Sequence, residues 1–187
     1  MSEIMMTGKD KVLVLGGCRS GKSGHALALA EAMGPRRVFV ATCIPHDDEM
    51  RDRVARHQKE RSETWSTLEI PVALPEAIRR HSPPPDVMLV DCLTLWMNNL
   101  LMETEDVETI RRRIDELAEA VSDAPHAVVL VSNEVGTGIV PENRLARLYR
   151  DLVGWTNQAV AAVCDRVIWT VAGIPVTVKP PIQAPIP

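Results

Sequence analysis

The chain has 187 residues, 45% of them hydrophobic and 25% charged, a balance that suits a soluble domain large enough to bury a core. Its formal charge of −4, with one Phe, one Tyr and four Trp, argues against a general nucleic-acid binder, which would be basic and rich in stacking platforms. No apolar run nears membrane-spanning length, Met1 to Asp10 lack the apolar core of a signal peptide, and Cys18, Cys43, Cys92 and Cys164 form no C-x-x-C pair; the expectation is a cytoplasmic protein without membrane insertion, zinc or a redox dithiol.

Beyond an N-terminal extension over 1–10, the run Val12-Leu13-Val14-Leu15 reads as a buried strand. It leads into Gly16-Gly17-Cys18-Arg19-Ser20-Gly21-Lys22-Ser23, which fits the phosphate-loop pattern G-x-x-x-x-G-K-[ST] without a mismatch, and His25 to Met33 reads as the helix that must follow. In such a loop the glycines let backbone N–H groups turn inward on an anion. Lys22 is expected to reach the β/γ-phosphates and the Ser23 hydroxyl to ligate Mg²⁺. Arg37 to Thr42 is the second strand. Asp47-Asp48-Glu49 opens a charged helix to about Arg61, with its acids at the positive end of the helix dipole.

Trp65 to Glu69 reads as a strand and Pro75 to Arg80 as a short helix, and Pro83-Pro84-Pro85 breaks the chain. Val87-Met88-Leu89-Val90 is an apolar strand ending in Asp91. Leu93 to Met102 and Val107 to Val121 read as helices and Ala127 to Val131 as a strand. Asn133 to Val140 is a glycine-containing loop. Pro141 suits a first helical position, with a long helix to about Cys164. Arg166 to Val171 is the last core strand. The tail from Pro175 to Pro187, with five prolines, either lacks regular structure or packs as an extended arm.

Unbroken apolar strands alternating with helices predict a mainly parallel sheet covered on both faces, an α/β three-layer sandwich of the P-loop NTPase type, as one nucleotide-binding domain over 1–187. Ligands bind such sheets at the carboxyl ends of the strands, here Gly16, Thr42-Cys43, Asp91 and Ser132-Asn133-Glu134. Asp91 reads as a carboxylate near Mg²⁺ or as a helix N-cap. Glu134 reads as a recognition residue or as a shaper of its own loop. His57 shares a helix face with Met50 and Val54, which suits a half-buried core histidine. Arg53, Arg56, Lys59 and Arg61 surround it, however, and nearby cations favour the neutral, nucleophilic imidazole.

With these residues in view, the chain resembles the bifunctional adenosylcobinamide kinase / adenosylcobinamide-phosphate guanylyltransferase family of cobalamin biosynthesis. The resemblance is carried by GGCRSGKS at 16–23, VATC at 40–43, DDEMRDRVARHQKERSETW at 47–65, DCLTLWMNNLL at 91–101 and VSNEVGTGIVPENRLARLYRDLVGWTNQ at 131–158. It implies transfer of a γ-phosphoryl group from ATP or GTP to the hydroxyl of the aminopropanol arm of adenosylcobinamide. A guanylyl group from GTP then joins that phosphate through a histidine-bound GMP, and the matching histidine is His57. The resemblance also places GTP contacts on Gly16 to Ser23, on Ala41, Thr42 and Cys43, on Gln58, Lys59, Glu60 and Arg61, and on Glu69 and Asp91; Ser23, from the loop pattern, and Asp91, from its place at a strand end, are the expected metal ligands. It implies a homo-oligomer, commonly a trimer.

The chain departs from the family pattern at Cys18, where Ala is common, at Gly24, where Arg is frequent, at Ser62, where Pro is usual, and in its proline-rich ending. Two other readings predict different behaviour. An ordinary small-molecule P-loop kinase would form no covalent GMP adduct. A nucleotide-regulated binding protein would have no acceptor substrate.

Overall fold

The computed structural model describes residues 9–44 and 64–180. The charged helix expected over Asp47 to Arg61, including His57, Gln58, Lys59, Glu60 and Arg61, lies outside the described residues. In chain order the elements are β1 (Lys11–Gly16), α1 (Lys22–Met33), β2 (Arg37–Ala41), β3 (Trp65–Glu69), α2 (Leu74–Arg80), β4 (Val87–Asp91), α3 (Leu93–Glu103), α4 (Val107–Asp123), β5 (Ala127–Asn133), α5 (Arg144–Val163), β6 (Arg166–Val171) and β7 (Ile174–Lys179). The strands form one seven-stranded sheet in the order β3-β2-β4-β5-β1-β6-β7. Every pairing is parallel except that of β7, which runs antiparallel to β6.

The apolar strands are continuous because both faces of the sheet are buried. Leu13, Val40, Val90 and Leu130 point to one face and pack with α3, α4 and α5. Val12, Val14, Leu89, Val129 and Val131 point to the other and meet α1 through Ala26 and Ala30, whose small side chains sit one helical turn apart. On α4 the residues Ile110, Ile114, Leu117 and Val121 form the buried stripe. Arg111 of α4 stacks 4.0 Å over the Trp155 ring of α5. The result is helix, sheet, helix: a P-loop NTPase-like three-layer α/β fold, as the strand pattern predicts.

Two boundaries differ from expectation for identifiable reasons. The long helix starts at Arg144 rather than Pro141, because Asn143 supplies the side-chain cap, accepting from the Ala146 N–H at 3.0 Å. Pro141 stays in the loop, where its carbonyl accepts from Arg147 Nη1 at 2.9 Å. The proline-rich ending does not begin as irregular chain: Ile174–Lys179 is the edge strand β7. Ala172 (φ 51°) and Gly173 (φ 83°) both take left-handed backbone, as a two-residue type I′ hairpin requires. Pro175 is accommodated because an edge strand has a ladder partner on one side only.

Candidate active site

The phosphate loop leaves the tip of β1 and turns directly into α1. Gly16 admits no side chain: a Cβ there would lie 2.4 Å from Ser20 Oγ and 2.7 Å from the Thr170 carbonyl oxygen. Gly21, at φ 90°, makes the left-handed step into the helix. Lys22 is 6% exposed, and its ammonium donates to the Gly17 carbonyl at 3.1 Å, which folds it over the loop. Cys18 and Arg19 are exposed on the rim, and Ser23 is half-buried in the first turn of α1. From the far side, the Gly173 N–H donates to the Ser20 carbonyl at 2.9 Å, so the β6–β7 turn braces the loop.

A second group of side chains ties the neighbouring strand tips together. The fully buried Thr42 hydroxyl donates to the Cys92 carbonyl and accepts from the Cys92 N–H, each at 2.8 Å. Thr42 N–H donates to the Asp91 carbonyl at 3.1 Å. Asn99 Nδ2 donates to Thr42 O at 2.8 Å and to Pro71 O at 2.9 Å. Asn133 Nδ2 donates to Thr94 Oγ1 at 2.9 Å, which joins β5 to α3. The N-cap of α3 is Cys92 rather than Asp91, and burial pushes the Cys92 thiol up. The N-cap reading of Asp91 is thereby corrected. Its half-exposed carboxylate ends β4, in register with Ala41 and Val131.

Topology separates the sequence-derived residues along this edge. The loop rises from β1, Asp91 from β4 two strands away, Ala41 to Cys43 from β2, and the exposed Glu69 from β3. Four strand spacings of about 4.8 Å put Glu69 roughly 19 Å from the loop strand. Glu134 follows β5: its N–H donates to Gly16 O at 3.2 Å, and its Oε1 accepts from the Gly136 N–H at 2.6 Å. It therefore shapes its own loop, and it also lines a cavity of about 330 Å³ beside the phosphate loop. Trp169, Thr170, Thr137 and Ala172 line this cavity as well, and sequence reasoning missed them. Trp169 lies inside a strand read as core, yet it is 42% exposed.

Ser23 and Asp91 offer hydroxyl and carboxylate oxygens, the donor types Mg²⁺ takes together with substrate phosphates. Among the described residues no group of three or more His, Cys, Asp or Glu could hold a metal ion by itself. No helix among them is long and apolar enough to cross a membrane.

The sequence profile described as cobinamide kinase / cobinamide phosphate guanyltransferase matches residues 12–178. The chain belongs to this family. It is 43% identical over 167 residues to the bifunctional adenosylcobalamin biosynthesis protein CobP of Pseudomonas aeruginosa, covering 89% of this chain and 96% of that one. It is 42% identical over 180 residues to the bifunctional adenosylcobalamin biosynthesis protein CobU of Salmonella typhimurium, covering 90% and 99%. The crystal structure of the flagellar accessory protein FlaH from Methanocaldococcus jannaschii superposes with a TM-score of 0.52 at 10% identity, covering 92% of this chain and 79% of that one; this likeness is one of fold alone. The protein is thus an enzyme, a bifunctional kinase and guanylyltransferase of cobalamin biosynthesis, and not a nucleotide-regulated binding module.

Proposed function

We propose that the phosphate loop holds the triphosphate of ATP or GTP while its γ-phosphoryl group passes to the arm hydroxyl of adenosylcobinamide, and that GMP is then carried on His57. The observation that carries this reading is the Lys22 ammonium, buried and laid across the Gly17 carbonyl in a loop where Gly16 admits no Cβ. Phosphoryl transfer asks the protein for positioning and charge neutralisation. The loop amides and Lys22 supply both at the β/γ-phosphates. Ser23 and Asp91 would hold Mg²⁺, which neutralises charge on the phosphate oxygens when bound.

In the second reaction the His57 imidazole forms a bond to the α-phosphorus of GTP as the bond to pyrophosphate breaks. A phosphate oxygen of adenosylcobinamide phosphate then forms the new bond as the phosphorus–nitrogen bond breaks, giving adenosyl-GDP-cobinamide and free His57. Gly16 to Ser23, Ala41 to Cys43, Gln58 to Arg61, Glu69 and Asp91 contact GTP in this scheme. A single cytoplasmic domain carries both reactions and assembles as a homo-oligomer, a trimer by family resemblance. The exposed apolar side chains Ile174, Val176 and Val178 on the edge strand support such an assembly.

The test is GTP labelled at the α-phosphorus, incubated with the enzyme and then denatured. Acid-labile, base-stable label is expected on the unmutated protein and is lost in His57→Ala. Label that survives in His57→Ala moves the nucleophile to another residue, and no label under active conditions removes the covalent intermediate.

A further inference from the structure

We infer that the cavity between the phosphate loop and the β6–β7 hairpin holds the nucleoside portion of the phosphoryl donor, and that this position is separate from the one that holds the guanosine transferred through His57. The inference rests on the phosphate-loop reading above. A triphosphate in the loop has a direction. Lys22 and the oxygens of Ser23 and Asp91 attend its β/γ end, and Asp91 stands on the β4 side of β1. The α-phosphate and its nucleoside therefore leave toward the opposite flank, where β6 and β7 lie. On that flank is the cavity, about 330 Å³. This volume is at the small end of ligand pockets, which run from about 300 to 1,000 Å³, and suits a base with its ribose rather than a corrin macrocycle.

The lining has the chemistry for such a ligand. Trp169, 42% exposed, offers an indole face for stacking. Ser20 and Thr170, also in the lining, are 8% and 1% exposed, and their hydroxyls have no hydrogen-bond partner among the described residues. Buried hydroxyls without partners are uncommon, and these two sit within the wall of the cavity. Glu134 commits Oε1 to the Gly136 N–H, which leaves Oε2 to accept from base N–H groups. Of the residues that the family resemblance assigns to GTP, Ala41 to Cys43, Glu69 and Asp91 stand on the other flank. One phosphate cradle thus has a nucleoside position on each side.

Equilibrium binding to the full chain in a His57→Ala background, which removes the covalent step, tests this. The ligands are the β,γ-imido analogues of ATP and GTP and inorganic tripolyphosphate. Trp169→Ala, and Thr137→Trp as a cavity-filling variant, are expected to weaken at least one analogue by about tenfold or more while tripolyphosphate stays within about twofold. Lys22→Ala is expected to weaken all three. If both cavity variants bind both analogues normally while Lys22→Ala loses them, the cavity assignment fails and the cradle stands. Equal losses on tripolyphosphate in the cavity variants overturn it too, because the effect would then lie in the loop. If Lys22→Ala binds all three normally, the cradle reading itself has failed.

Discussion

Gly173 and Ser20 are joined by a 2.9 Å backbone hydrogen bond, from the N–H of the β6–β7 turn to the carbonyl of the phosphate loop. The last hairpin of the described chain therefore supports the loop near its beginning. Gly173 holds φ 83°, and a Cβ there would meet no atom within 4 Å. Gly173→Ala should accordingly cost only the left-handed strain, about 1–2 kcal/mol. Urea denaturation gives that figure, and a slackened loop would appear as weaker nucleotide binding.

Gly16→Ala should do more harm. Its Cβ would press on the Thr170 carbonyl at 2.7 Å as well as on Ser20 Oγ, and backbone does not move aside as a flexible side chain does. A loss of about 1–3 kcal/mol is expected from overpacking, with nucleotide binding lost alongside. Thermal denaturation with and without nucleotide separates the two effects: the stabilising shift produced by nucleotide should vanish.

Lys22→Ala should leave the fold almost unchanged, since the ammonium donates to a single carbonyl, that of Gly17. Kinase turnover should fall by about 10²–10³-fold, the usual scale for losing one charge-stabilising donor. Steady-state kinetics at saturating donor reads this, and circular dichroism checks the fold.

Thr42→Val replaces the hydroxyl that both gives and takes a hydrogen bond at Cys92. Valine keeps the shape but leaves the Cys92 N–H without its partner in a buried place, at a cost of about 1–3 kcal/mol. Because Cys92 follows Asp91, the Mg²⁺ concentration needed for half-maximal kinase activity should rise as well. A stability loss with unchanged Mg²⁺ dependence would separate Asp91 from the metal.

His126 is expected to set an acid limb of stability. It is 2% exposed, with neither ring nitrogen partnered among the described residues. Burial first, then the nearby Lys11 and His81 charges, lower its pKa to about 4. The unfolded imidazole titrates near 6.5, so between about pH 6.5 and 4 the unfolded chain binds the extra proton and stability falls as pH falls. The expected loss is up to about 3 kcal/mol across that window. Denaturant titrations at pH 7 and pH 4.5 should differ markedly for the unmutated protein and less for His126→Leu. Glu76, held at about 2 by its hydrogen bond to Arg113, gives up its contribution as pH falls from about 4.5 to 2, below most of the His126 window.

The residue order alone was enough to specify the alternation of buried strands and helices and the phosphate loop after Leu15. Both rest on short-range facts: an apolar run with both faces buried needs no partner to be recognised, and a glycine-rich loop between strand and helix is contiguous in the chain. The resemblance across the five motif segments likewise pointed to the family before any coordinates. Asp91 was legible as an acid at a strand end, but whether it capped α3 depended on where that helix began, and Cys92 took the cap. The β7 strand was obscured by Pro175, which reads as a breaker until the edge position of its strand is known. Trp169, Thr170 and Glu134 share a cavity only because β5, β1 and β6 are sheet neighbours while their sequences lie far apart. Strand order is decided by long-range packing, which no local pattern encodes. That order sets Glu69 and Asp91 on one flank of the loop and Trp169 on the other.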